Sequence, residues 1–398
     1  MREKIFTFLI FLVSFVTLNS NGETLLGTQN RGDPVSAPSG ASKGMGGISI
    51  ATEKSAFAIC ANPALASRFE RPQLAVSILP FVLNEERSNV IYDKFSQRVY
   101  NIYAANTSIS FNNVAFAAVY PVKVEIPFLK NVSVGAGIVP VYDFSYNFER
   151  SERDKSYVVT SSTRVENSGA ISKTAIGVSV KPVEWLSAGI SFNLHSGLQR
   201  SFIESLYPLE TSRNYKSTVS KTISGNSISI GLLSEINQRF TAGLNYQTSS
   251  RMTFKGESDE SRVTYPSVVS LGIEYQPPSL LSTRVGADVL FTRWGDDFKV
   301  DGASSSFRNT LEVRFGVEHY VKNNIPVRFG LSYVPWYGNK NVATIMFTAG
   351  TGARYKKMKF DIGGGVGKRE YYISSGAVEP DLVEEFFSQF GLTVGYVF

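Results

Sequence analysis

The 398-residue chain has one cysteine, Cys60, and two histidines, His195 and His319. A single cysteine excludes an intramolecular disulfide framework. Two isolated histidines give no metal-ligand spacing, so no metal or other cofactor is expected. Charge is sparse as well: Asp, Glu, Lys and Arg make up 19% of the residues, and the net excess of +6 is dispersed along the chain. With no basic block, nucleic acid is not an expected partner. Beyond the amino end, no apolar run approaches the roughly eighteen residues of a spanning helix. A membrane protein built of helices is thereby excluded, and one built of strands is not.

What the chain does have is aromatic residues, 28 Phe and 19 Tyr, and a distinctive end. Counting back from the carboxy-terminus, Phe398, Tyr396, Val394, Leu392 and Phe390 fall on one face, and Val397, Gly395, Thr393 and Gly391 on the other. A chain that stops inside such a strand, on an aromatic residue, fits the closing strand of an outer-membrane β-barrel. Phe398 is then expected to be the signal read by the barrel-assembly machinery. At the other end, Arg2 and Lys4 precede the apolar run Ile5–Leu18, and Ser20 and Gly22 offer a cut. Residues 1–22 therefore read as a signal peptide, with no cysteine at the cut that would make a lipoprotein.

From Pro72 onward the sequence alternates in fourteen segments, at 72–84, 107–122, 130–149, 168–182, 185–203, 219–236, 239–255, 262–276, 283–297, 306–321, 325–337, 342–356, 359–373 and 386–398. Short and long connections also alternate, as periplasmic turns and extracellular loops do. An even strand count places both ends on the periplasmic side. The expectation is an all-β protein, a 14-stranded antiparallel transmembrane barrel over 72–398, in a Gram-negative outer membrane. A charge facing lipid near the midplane costs about 2–4 kcal/mol. Glu274, Arg284, Asp288, Glu312, Arg314, Glu318 and Arg328 must therefore face the lumen, where an ion-pair network would stiffen the wall and hold a plug. Residues 23–71, rich in glycine, do not alternate and read as that plug, a hatch folded inside the barrel. Ile48, Ile50, Phe57 and Ile59 are candidates for an apolar pocket between hatch and wall.

Ile59-Cys-Ala-Asn-Pro-Ala-Leu-Ala-Ser-Arg-Phe-Glu-Arg-Pro72, following the glycine-rich Gly40–Ala51, resembles the hatch end and first strand of the FadL/TodX family of hydrophobic-compound channels. Asn245–Gly256, Tyr265–Gly272, Ala287–Trp294 and the terminal Phe398 are similar to later strands of that family, so the resemblance spans the mature chain. It implies passive uptake of long-chain fatty acids or similar lipophilic molecules, with lateral exit at a kink in strand three. Asn62, Pro63 and Ala64 match the motif that anchors the hatch. Independently, Pro63 pushes Asn62 out of the helical region and Asn62 can bond its own turn. Strand three contains Pro140, which cannot donate to a ladder. Pro140 is the expected lateral gap, with Gly135 and Gly137 easing the bend.

The loop at 204–218 is short and only partly apolar, which puts a greasy capture groove in doubt. The alternative is a barrel of this type acting as a surface-attachment or secretion-associated scaffold. An enzyme is the weakest reading: Ser196 points away from His195, Ser191 is too distant along the strand, and His319 has no second ligand. Cys60 reads as a small packing residue. Expected partners are a hydrophobic small molecule, outer-membrane lipids and lipopolysaccharide, and the assembly machinery; the expected state is a monomer.

Overall fold

The structure is a computed structural model, and it describes residues 32–111, 113–122, 131–154, 156–278, 282–321, 325–373 and 379–398. The expected signal peptide and the first hatch residues lie outside the described residues. The hatch begins with a two-residue strand, β1 (Asp33–Pro34), followed by the short helices α1 (Gly40–Gly44) and α2 (Ala58–Ala61) and a 3-10 turn at Pro63–Arg68. Ser39 starts α1 by accepting the Ser42 amide at 3.1 Å.

Fourteen staves follow and close into an antiparallel barrel. The first is β2 (Gln73–Ile78) with β3 (Phe81–Tyr92), the second β4 (Arg98–Ser110) with β5 (Val114–Val122), and the third β6 (Asn131–Asp143) with β7 (Tyr146–Arg153). The fourth, fifth and sixth are single long strands, β8 (Val159–Val183), β9 (Leu186–Leu206) and β10 (Tyr215–Glu235). Then come β11 (Phe240–Gln247) with β12 (Ser250–Lys255), β13 (Glu260–Tyr265) with β14 (Val268–Tyr275), and β15 (Thr283–Thr292). A loop holding α3 (Trp294–Asp297), β16 (Lys299–Val300) and β17 (Ala303–Ser304) leads to the last five: β18 (Thr310–Val321), β19 (Ile325–Pro335), β20 (Ala343–Tyr355), β21 (Met358–Ile373) and β22 (Asp381–Val397). Closure is direct, because β22 pairs with β2 (Val394 opposite Val76) and with β3 (Glu385 opposite Glu85).

Alternation explains the two faces. Phe315, Phe329 and Phe347 are more than half exposed on the outer belt, while Asp288, Glu318 and Arg328 on the inner face are fully buried. Two expectations need correcting. The connections between the expected segments at 85–106 and 150–167 are largely strand, and strand also runs into both ends of 204–218: β8 and β9 stay paired out to Ser162 opposite Leu206. Apolar–polar alternation stops where both faces meet water, but the backbone ladder does not need it. The ninth strand also ends at Thr292, because Trp294–Asp297 turns into a helix.

Candidate functional site

The lumen is where sequence and topology converge, because the hatch meets every part of the wall there. Along the later staves the contact is charged. Arg284 reaches Glu274 at 3.0 Å and Glu318 at 2.5 Å, and donates to the hatch carbonyl of Thr52 at 2.8 Å. Arg328 reaches the other Glu318 oxygen at 2.6 Å and Asp361 at 2.7 Å. Arg314 pairs with Glu312 at 2.6 Å and donates to the Gly47 carbonyl at 2.8 Å. Asp288 departs from the expected ion-pair network: its carboxylate instead accepts the hatch amides of Ser49 at 2.6 Å and Ile50 at 3.1 Å. The network is therefore a clamp on the hatch backbone as much as a wall brace. Asp361, which closes its far end, was not among the sequence candidates.

Between these charges the wall presents glycines, and hatch backbone lies directly on them. A Cβ on Gly330 would sit 2.0 Å from the Gly46 nitrogen, one on Gly363 2.1 Å from the Gly40 carbonyl oxygen, and one on Gly231 2.0 Å from Asn62 Oδ1. Gly316 faces Gly330 and Gly350 faces Gly363 across their ladders, so the bare positions line up from stave to stave. Single-strand reading could not find this row, because it exists only in the cross-strand register.

The Asn62-Pro63-Ala64 motif sits at the centre of the hatch. Asn62 is fully buried; its Oδ1 caps the Ala64 amide at 3.1 Å, and its Nδ2 donates to the Ile50 carbonyl at 2.9 Å and to the wall at Leu232 at 3.3 Å. Ile48, Ile50, Phe57 and Ile59 are no more than 5% exposed. Ile48 closes on Gly286 and Gly316, Ile50 on Gly243 and Gly272, and Ile59 on Gly135 and Gly177. These side chains fill the space in which a pocket was expected.

The seam between the second and third staves is built differently. The β5–β6 ladder runs from Val122 opposite Val132 to Phe116 opposite Ile138, and stops there. Gly135 and Gly137 lie within the paired stretch, and Pro140 lies just past its end. The β6–β8 register also shifts between Pro140 and Tyr142. Above Ile138 no backbone ladder joins the two staves among the described residues, and side chains bridge them instead. Asp143 accepts from Ser110 at 2.6 Å and Asn113 at 2.5 Å; Ser108 and Asn106 accept the amides of Asn147 at 2.7 Å and Glu149 at 2.8 Å. The edge that β6 leaves free is taken by the hatch: Asp33 and Pro34 pair with Asp143 and Tyr142, and the Val35 amide donates to Val141 at 3.0 Å. This three-residue strap was also invisible in the sequence.

Above the hatch an aromatic column crosses from the strap to the loops. Tyr142 lies 4.6 Å from Tyr265, which meets Trp294 at 6.5 Å, and Trp294 stacks on Tyr337 at 4.0 Å. Beside it, Arg87 bonds Glu85 at 2.5 Å and Tyr146 at 2.9 Å, and Arg369 bonds Glu385 at 2.5 Å. Of the histidines, His195 Nε2 contacts Ser227 Oγ on the next strand at 2.9 Å, and no hydrogen bond reaches its Nδ1 among the described residues. That contact lacks the orienting third group of a nucleophilic triad. His319 contacts Thr283 at 2.8 Å, and Cys60 is buried against Gly137. Phe398 closes the barrel through its amide to the Pro72 carbonyl at 3.1 Å.

Residues 31–364 match the family model described as BamG. No curated protein matches the chain. Among solved structures, a Pseudomonas aeruginosa FadL homologue superposes with a TM-score of 0.63 at 14% identity, over 92% of this chain and 99% of that one. The Pseudomonas putida toluene transporter TodX gives 0.61 at 16% identity over 92% and 98%, and the Ralstonia pickettii toluene transporter TbuX 0.60 at 13% over 91% and 98%. At such identities the likeness is one of fold: a FadL-type, fourteen-stave barrel with a hatch.

Proposed function

The chain belongs to the BamG family, and from its fold and its seam we propose that it is an outer-membrane channel for lipophilic molecules. Its exit, in this reading, is the seam between the second and third staves. The observation that carries the proposal is the end of the β5–β6 ladder at Ile138, below a seam that among the described residues is bridged by side chains alone, with the hatch strap on the free edge of β6. Parting side-chain bridges costs far less than breaking a continuous ladder in a membrane, where each unsatisfied backbone group costs several kcal/mol. The similar barrels TodX and TbuX are described as toluene transporters. Here the column from Tyr142 to Tyr337 offers rings that a lipophilic solute can displace in turn, so cargo ranges from small aromatics to fatty acids. Catalysis has no part in this reading. Both termini lie in the periplasm, Phe398 serves assembly, lipopolysaccharide contacts the rim, and the barrel acts as a monomer.

A second reading, a scaffold without transport, is favoured by one observation: Ile48, Ile50 and Ile59 are packed against wall glycines and Phe57 is fully buried. A disulfide lock separates the two. With Ser110→Cys and Asp143→Cys, whose native side chains hydrogen-bond across the seam from the same face, oxidation should abolish uptake of labelled toluene or oleate by expressing cells, and reduction should restore it. Uptake that ignores the lock, or never exceeds that of cells lacking the barrel, sinks the channel.

A further inference from the structure

The outer wall is not evenly filled. Between the first and fifth staves a cavity of about 920 Å³ opens on the lipid-facing side, with Ala118, Ala136, Gly135 and Gly177 as its floor and Tyr120 and Phe192 on its flanks. Ala118 and Ala136 are direct cross-strand partners, whereas the rows above and below them carry Phe116 with Ile138 and Tyr120 with Val134. Two small residues side by side, ringed by large ones, make a basin. Its depth has a second cause inside the barrel. A Cβ on Gly135 or on Gly177 would meet Ile59 at 3.1 Å, so both staves lie drawn in against the hatch.

The volume lies within the roughly 300–1,000 Å³ usual for ligand sites. It equals roughly thirty waters, yet among its lining residues only Gln73 and Tyr120 carry polar side chains. Water cannot fill such a space within the hydrocarbon belt, and an acyl chain can. The basin opens downward at Pro72, Gln73 and Phe398, at the end of the barrel where the first and last staves finish. Exposed Arg71 and Lys357 stand at this rim, against exposed Glu70 and the terminal carboxylate; Lys357 Nζ lies 5.9 Å over the Tyr396 ring, which touches Phe398 edge-on at 4.8 Å. A greasy basin above a rim of two cations and two anions has the chemistry of a zwitterionic phosphate headgroup below its chains.

We propose that this basin is a binding site for one phospholipid, its acyl chains over Ala118 and Ala136 and its phosphate at the Arg71 rim. It differs from ordinary boundary lipid in being retained while its neighbours exchange. The site rests on the membrane placement of the barrel and is independent of what, if anything, the lumen carries.

The test is native mass spectrometry of the full chain, purified from membranes in mild detergent and washed extensively. The unaltered protein should keep a phospholipid, and Ala118→Phe with Ala136→Phe should retain about tenfold less, equivalent to about 1.4 kcal/mol. Both side chains face lipid, so the variant leaves the lumen untouched; its heat-dependent gel shift reports folding. Equal retention in the two proteins, or lipopolysaccharide in place of phospholipid, overturns the proposal. Should the double variant not fold, Ile176→Trp with Trp185→Phe places a reporter on the basin flank. Loaded with brominated phosphatidylethanolamine and diluted into unbrominated liposomes, it should regain fluorescence slowly. Recovery as fast as that of free lipid exchange overturns the site.

Discussion

The hatch has two unlike flanks. Against the ninth to thirteenth staves it is clamped by Arg284, Asp288 and Arg314, each holding hatch backbone, with Arg328 locking the wall behind them. Against the third stave its contacts are uncharged: Ile59 and Cys60 lie on Gly135 and Gly137, Asn131 donates to the Ser67 and Phe69 carbonyls, and the strap takes the edge that β5 has left. The buried cation nearest this side is Lys173 of the fourth stave, on the Cys60 carbonyl at 2.9 Å. The difference teaches where movement is affordable in physical terms. Charged contacts in a buried lumen lose several kcal/mol when one partner withdraws. Apolar contacts and three added backbone pairings lose far less. In the channel reading, opening belongs to the seam, with the clamped flank as its fixed jaw.

The comparison breaks most visibly if the clamp is cut. Arg328→Ala removes the buried cation that Glu318 and Asp361 share, leaving Glu318 to Arg284 and Asp361 to the part-exposed Lys359 at 3.1 Å. Removing one partner of a buried pair costs about 3–5 kcal/mol, so the temperature of the heat-dependent gel shift should fall sharply. Removing Arg150, a half-exposed partner of Glu152 on the third stave, should change it by less than about 1 kcal/mol. Equal effects of the two would erase the distinction between flanks.

This clamp was largely legible in the sequence, because Glu312, Arg314, Glu318 and Arg328 sit in cleanly alternating strands and the cost of a charge in lipid assigns their face. Asp361 escaped because glycines surround it and blur the alternation. Glu85 and Arg87 are hidden because polar residues on both faces of their stretch mask the strand. The strap could not be read at all. Two residues carry no period, and what makes Asp33 and Pro34 a strand is the free edge of β6, which exists only after folding.

Asn62 tests the pivot between the flanks. It ties the hatch to itself through Ala64 and Ile50 and to the sixth stave through Leu232. Asn62→Ala removes a cap worth about 1 kcal/mol and bares the Ile50 carbonyl. The barrel should remain folded while leak conductance in a planar bilayer rises. Unchanged conductance would mean that the clamp alone fixes the hatch, and the apolar flank would lose its part in the comparison.

The smallest effect is a dependence on pH at the strap. Burial pushes the Asp33 carboxyl up to about 6, against the pull of Arg369 and with Glu385 and Asp143 adding to the rise. A carboxyl raised in the docked state holds its proton more tightly there than when released. Docking is therefore best supported below the ordinary carboxylate range, weakens as pH rises through about 4 to 6, and is level above that. The Val35 amide, bonded to the Val141 carbonyl, reports the strap directly. Its hydrogen exchange, corrected for the intrinsic rate, should show more frequent opening at pH 7.5 than at pH 4.5, while the Ser49 amide on Asp288 should open far less at either. Asp33→Asn should flatten the Val35 response. A response that survives this substitution, or runs the other way, would assign the strap's stability to something other than Asp33 and leave the seam no more pH-sensitive than the clamped wall.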